Sequence, residues 1–202
     1  MLSSDAPRRD VLSVLVVGVG GQGVQTLWRA LGLALERCGL ATHGALVKGG
    51  AQQMGTVYGT LRAFPADAAG EVTSEIAPGA LDVAIGLEPW ETLRFRRLFG
   101  AHTCVVAERD AVPLYLAARR ERDQDDPAAW LDALRLRKHL GPFAREAHED
   151  FGDRRMANFV AGSHAIARGW LATARADAAS PNLSLAAWSE AFDAARAKES
   201  PV

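Results

Sequence analysis

Few side chains in this 202-residue sequence could do chemistry, and the most telling group is backbone-rich. Gly18-Val19-Gly20-Gly21-Gln22-Gly23 fits the pattern G-x-G-x-x-G. Glycines there let the chain turn sharply and bring its backbone close to a ligand. A helix opening straight after such a loop offers N–H donors and a partial positive charge to an anion. The competing reading is a tight turn with no ligand. Gln52 and Gln53 form a second group, two uncharged amides in a glycine-bounded loop. They suit a polar ligand or an interface, and they equally suit solvent. Glu88 stands just before Pro89, where it reads as a helix-start residue. A catalytic acid is the other reading, because strand ends carry the sites of open α/β sheets. His139, His148 and His164 lack metal-ligand spacing and read as structural or surface residues.

The elements that must position these groups follow from hydrophobic pattern. Val11 to Val17 is a short, valine-rich run, as in a strand buried on both faces. Leu27, Leu31, Ala34 and Leu35 then share one helical face, and Gly39 is placed to end that helix. Leu40 to Lys48 is expected to be a second, parallel strand, and Thr56 to Arg62 is β-prone. Leu81 to Leu87 and Thr103 to Ala107 complete four expected strands, with a helix from Pro89 to about Phe99 between them. Residues 112–148 read as a mainly helical insert, with Asp126 as a cap before Pro127. Asn158 sits in an apolar helix, and a buried amide there must find backbone or a partner loop to bond. Trp188 and Phe192 share a face of a last helix, Leu185 to Ala195, suited to docking on the body or on another chain. The expected fold is therefore α/β: a Rossmann-like, open, mainly parallel sheet with helices on both faces, plus a helical segment and a C-terminal helix.

Bulk properties narrow the function. Net charge is −1, and no basic and aromatic residues interleave as nucleic-acid readers require. No apolar run reaches the ~20 residues of a membrane span, and residues 1–10 are polar, with no secretory core segment. Cytoplasmic location, no nucleic acid and no membrane are the expectations. Two isolated cysteines, Cys38 and Cys104, fall short of the roughly four thiolates an iron–sulfur cluster needs. A dinucleotide fold usually places an acid about 20 residues past its glycines. None occurs between Arg37 and Gly50, and Lys48 is thin support for a 2′-phosphate.

Four ordered segments together carry a resemblance. Gly18 to Val24, Gly49 to Arg62, Asp82 to Leu93 and Ala157 to Val160 resemble the gamma domain of 2-oxoacid:ferredoxin oxidoreductases, in particular the beta subunit of indolepyruvate ferredoxin oxidoreductase. In the second segment Ala51, Gln52, Gly55, Thr56, Val57 and Arg62 fit the family frame. Gln53 stands where an arginine is usual, and Met54 where a glycine is usual, so an anion contact there is lost or moved. The resemblance covers residues 11–172, leaving residues 1–10 as a loose end and 173–202 as a tail with one helix.

The resemblance implies a thiamine diphosphate- and Mg2+-dependent decarboxylation of a 2-oxoacid. Electrons would leave through [4Fe-4S] clusters to ferredoxin, and CoA would take the acyl group. A large partner subunit would hold the thiamine and clusters, and none of these groups is expected on this chain alone. Gly18, Gly20, Gly21, Gln22, Gly23, Gln52 and Gln53 would line the CoA or substrate side of the pocket. Two alternatives stay open: a nucleotide- or CoA-binding regulatory module, and an NAD(P)-dependent reductase.

Overall fold

A computed structural model describes residues 11–49, 55–66, 72–112, 126–171 and 183–198. The expectations for Gln52, Gln53, residues 1–10 and most of the Asp123–Asp126 break lie outside these residues. Six strands form one sheet: β1 (Leu12–Val19), β2 (Leu40–Lys48), β3 (Thr56–Pro65), β4 (Leu81–Gly86), β5 (Phe99–Glu108) and β6 (Arg137–Gly141). Their order across the sheet is β2-β3-β1-β4-β5-β6. The helices are α1 (Val24–Arg37), α2 (Pro89–Arg94), α3 (Pro127–Ala133), α4 (Phe143–Phe151), α5 (Ala157–Ala167) and α6 (Leu185–Ala197).

β1 is buried along its whole length, because the sheet is covered on both faces. Its side chains alternate between two cores. Leu12, Val14 and Val16 meet α1, α4, α5 and α6, while Leu15 and Val17 meet Leu93 of α2 and Leu131 of α3. The α/β architecture with helices on both faces is as expected. So is the docking of the last helix, whose Trp188 and Phe192 are buried against the first of these cores.

The strand order departs from the expected β-α-β neighbours. β2 does not pair with β1; antiparallel β3 lies between them, Val19 facing Thr56 and Lys48 facing Val57. The reason is the short link at residues 49–55, because a parallel crossover needs a dozen or more residues and a hairpin does not. β3 therefore folds back on β2 and takes the place beside β1. β4, β5 and β6 continue in parallel on the other side.

A second departure lies in the expected helical insert. α3 stops at Ala133, and residues 137–141 form the parallel edge strand β6 beside β5. Leu134 and Leu136, between α3 and β6, and Leu140 within β6 all pack on the second core, which together with pairing to β5 overrides the helical pattern. Lys138 closes the end of α3 by donating from Nζ to the carbonyls of Asp132 and Leu134. The helix after Glu88 is also shorter than expected. It ends at Arg94, a 3-10 turn follows over Arg96–Leu98, and β5 begins at Phe99.

Candidate functional site at the carboxyl edge of the sheet

The ends of β1, β4 and β5 and the start of β3 meet at one edge of the sheet. The glycine loop is the centre of that edge. Gly18 lacks a Cβ, which would stand 2.6 Å from the Gln22 side-chain oxygen and 3.1 Å from Leu87 Cβ. That space lets Gln22 fold back under the loop. Its Oε1 accepts from the Val19 N–H at 2.8 Å, and its Nε2 donates to the Leu87 carbonyl at 2.9 Å. Gln22 thus spends its amide tying the end of β1 to the end of β4.

Two further bonds fix the loop. The Gly20 N–H donates to the Gly55 carbonyl at 2.9 Å, joining the glycine loop to the β2–β3 hairpin. Gly23, at φ 74, starts α1, and its carbonyl accepts from Asn158 Nδ2 at 3.1 Å. Asn158 is buried, and its Oδ1 accepts from the Phe159 N–H at 2.9 Å. The buried amide anticipated in α5 therefore finds the backbone of a distant loop. No side chain at the start of α1 caps it, and its first turn holds no acid. Gly21, at φ 94, has open space where a Cβ would stand. Gly21 is thus the exposed point of the loop, beside the positive start of α1, while the Gly20 and Gln22 N–H groups are bonded to the Gly55 and Val19 carbonyls.

A pair of buried acids lies beside it. Glu88 directly follows Leu87 and is fully buried. Its Oε2 accepts from the Glu91 N–H at 2.7 Å, the helix-start role expected of it. Its Oε1 is buried with no hydrogen bond. Burial raises its pKa to about 7, opposed by nearby backbone N–H groups and assisted by the negative charge of Glu91. Glu91 is itself buried, accepting from the Thr56 hydroxyl at 2.9 Å and pairing with Arg94 at 3.1 Å. Glu88 is therefore largely protonated below neutrality, at a junction of three segments.

Glu108, at the end of β5, is a third buried carboxyl. It accepts from the N–H groups of Arg109, Asp110 and Ala144 at 2.9, 3.1 and 2.9 Å. It binds the end of β5 to the start of α4. Thr56, Glu91 and Glu108 were not expected from sequence to be site residues, although Thr56 falls in the family frame. The spacing Glu88-Pro-Trp-Glu91 signals the α2 start, but the Thr56–Glu91 contact spans 35 residues and leaves no local trace.

The histidines lie elsewhere. His139 and His164 have ring centroids 4.4 Å apart, and Arg168 donates to Nδ1 of each, at 2.8 and 3.0 Å. His164 Nε2 bonds Glu146 at 2.8 Å. Among the described residues no three His, Cys, Asp or Glu side chains are grouped to hold a metal. Cys38 and Cys104 are free, and burial raises both thiols. These residues do not fit an iron–sulfur cluster. Among the described residues no helix is long and apolar enough to cross a membrane.

Residues 13–179 match the family described as pyruvate ferredoxin/flavodoxin oxidoreductase. The chain belongs to this family. Curated relatives within it carry the name indolepyruvate oxidoreductase subunit IorB. That of Archaeoglobus fulgidus is 38% identical over 96 residues, which are 47% of this chain and 45% of the relative. That of Thermococcus kodakarensis is 36% identical over 83 residues, 41% of this chain and 39% of the relative. The matched segments thus span less than half the length of these relatives. Among solved structures, the gamma subunit of the keto/oxoacid ferredoxin oxidoreductase from Geobacter sulfurreducens has the same fold. Its TM-score is 0.55 at 14% identity, covering 92% of this chain and 99% of that one. A 2-oxoglutarate:ferredoxin oxidoreductase from Magnetococcus marinus, solved with 2-oxoglutarate, coenzyme A and succinyl-CoA, matches with a TM-score of 0.54 at 16% identity. The match covers 94% of this chain and 31% of that one. The chain's own six-stranded mixed sheet with its helices is thus similar in fold to a gamma subunit of such an oxidoreductase.

Proposed function

We propose that this chain is the small, cluster-free subunit of a 2-oxoacid:ferredoxin oxidoreductase acting on indolepyruvate or related arylpyruvates. Family membership and the relatives' names support the reaction class and the substrate. Thiamine diphosphate with Mg2+ and [4Fe-4S] clusters on a large partner subunit would supply decarboxylation and electron transfer to ferredoxin, with CoA taking the acyl group. The observation that carries this chain's own role is the convergence at the sheet edge. Gln22, Gly20 and Thr56 lock the glycine loop, the β2–β3 hairpin and the α2 start into one rigid rim.

On that rim the backbone N–H groups of Gly21 and Gly23 and the uncapped start of α1 would hold a phosphate of CoA, while Gly20 and Gln22, whose N–H groups bond the Gly55 and Val19 carbonyls, hold the loop in place. Gly18 and Gln22 act behind them, giving the loop its shape. Gln52 and Gln53 would extend the pocket from the adjoining hairpin. The dinucleotide alternative loses its ribose site, because the strand beside β1 is antiparallel β3 and β2 ends in Val47-Lys48-Gly49.

Co-expression with the cognate large subunit, followed by an assay of arylpyruvate- and CoA-dependent ferredoxin reduction, tests the proposal. The two chains should co-purify, and activity should need both. A large subunit fully active alone, or a stable complex with no 2-oxoacid oxidation, would overturn it. Tight CoA binding by this chain alone would favour the regulatory-module alternative instead.

A further inference from the structure

We infer that a cavity between α1, β2 and the end of α6 binds a small aromatic anion, with the Arg29 guanidinium facing its charge. The cavity is an open groove of about 580 Å3, within the range of small-ligand sites. Trp28, Arg29, Gly32, Thr42, Leu61 and Lys198 are among its lining residues. It opens beside the middle and end of α1, roughly 10–20 Å along that helix from the glycine loop. It is therefore separate from the rim described above.

Charge is the first argument. Arg29 is half-buried, and neither it nor Lys198 has an ion pair or hydrogen bond among the described residues. Arg37, two turns further along α1, is by contrast paired with Glu190 at 3.6 Å. The cavity's one acid, Glu36, accepts from the Thr42 hydroxyl at 2.5 Å. A planar guanidinium left without a carboxylate suits an incoming carboxylate or phosphate.

Shape is the second. Trp28 is pinned, its Nε1 donating to the Thr60 carbonyl at 2.9 Å. Its ring lies against Gly44 and Gly59, where any side chain would run into it. The indole is thus a fixed, flat, apolar wall, with Leu61 beside it, suited to an aromatic body.

Gly32 is the third. A glycine inside a helix costs stability relative to alanine. Packing does not demand it here, since a Cβ would stand 3.9 Å from both Leu61 and Thr42, an ordinary contact. Those two neighbours line the same cavity, so the missing side chain leaves it open.

Naphthalene-2-carboxylate, titrated into the full chain by calorimetry and ligand-detected NMR, is the test. Neutral 2-naphthamide and inorganic phosphate are the comparison probes. Saturable one-to-one binding of the carboxylate is expected, weakened about ten-fold or more by Arg29→Gln, the loss of one charge-assisted bond. Gly32→Leu should abolish it, and Gly32→Ala, which keeps the helix, should weaken it. Absence of saturable binding at millimolar carboxylate would overturn the inference. So would binding unchanged by Arg29→Gln and Gly32→Ala, or phosphate or the amide binding as tightly as the carboxylate.

Discussion

Glu88→Gln removes one proton-binding group and little else, so it isolates the consequence of burying an acid at the sheet edge. The folded chain holds the Glu88 proton up to pH about 7, against 4.5 for an ordinary glutamate. Between those values folding takes up a proton. The stabilisation linked to Glu88 is present below pH 4.5 and is lost as pH rises toward 7. At about 1.4 kcal/mol per pH unit, the loss is on the order of 3 kcal/mol. Glutamine keeps the oxygen that accepts from the Glu91 N–H and never ionises. Burial also raises Glu108, but that residue is present in both proteins and cancels from the comparison. Urea unfolding of both proteins at pH 5 and pH 8 reads the difference. The two should be close at pH 5, and the variant should be more stable by about 3 kcal/mol at pH 8, roughly 6–12 °C in Tm for a chain of this size. A difference that stays constant between the two pH values would refute the reasoning, as would a variant that is weaker at both.

Asn158→Ala should cost about 1–3 kcal/mol, because the Gly23 carbonyl loses its buried donor; amide exchange across Gly21 to Val24 should quicken, and mass spectrometry of exchanged peptides reads it. Gln22→Ala strips partners from the Val19 N–H and the Leu87 carbonyl and should cost a similar amount by urea unfolding. Arg168→Met should raise the pKa of His139, which burial first and the Arg168 charge second hold below its ordinary value; an NMR titration of the imidazole measures the shift, and no rise would count against the Arg168 contact.

What could be read from sequence was what local pattern decides. The valine run, the glycine loop and the apolar face of α1 lie within a few turns of each other, so β1 and α1 were visible. Glu88 as a cap and Gly39 as a stop are likewise local, and the structure has them so. Strand order was not readable, because nothing in Leu40 to Lys48 says which strand it will neighbour. The short link to Thr56 was the available clue, and it decides the hairpin. β6 was misread because Trp130, Leu131 and Leu134 fit a helix while the five residues of β6 are too short and polar to show a strand pattern; pairing with β5 settles it in space. At the site, the glycines were visible and the role of Gln22 was not. Its partner Leu87 lies 65 residues away, as the partner of Asn158 lies 135 away.

The central claim is that the rim built by Gly18 to Gly23, Thr56 and Glu88 faces a partner subunit. Hydrogen–deuterium exchange on this chain, alone and bound to its co-expressed large subunit, tests it directly. Protection should rise at residues 18–24, 55–58 and 87–92 on binding, and rise again there when CoA is added. Protection confined to the outer faces of α1 and α6, with the rim exchanging as in the free chain, would contradict it.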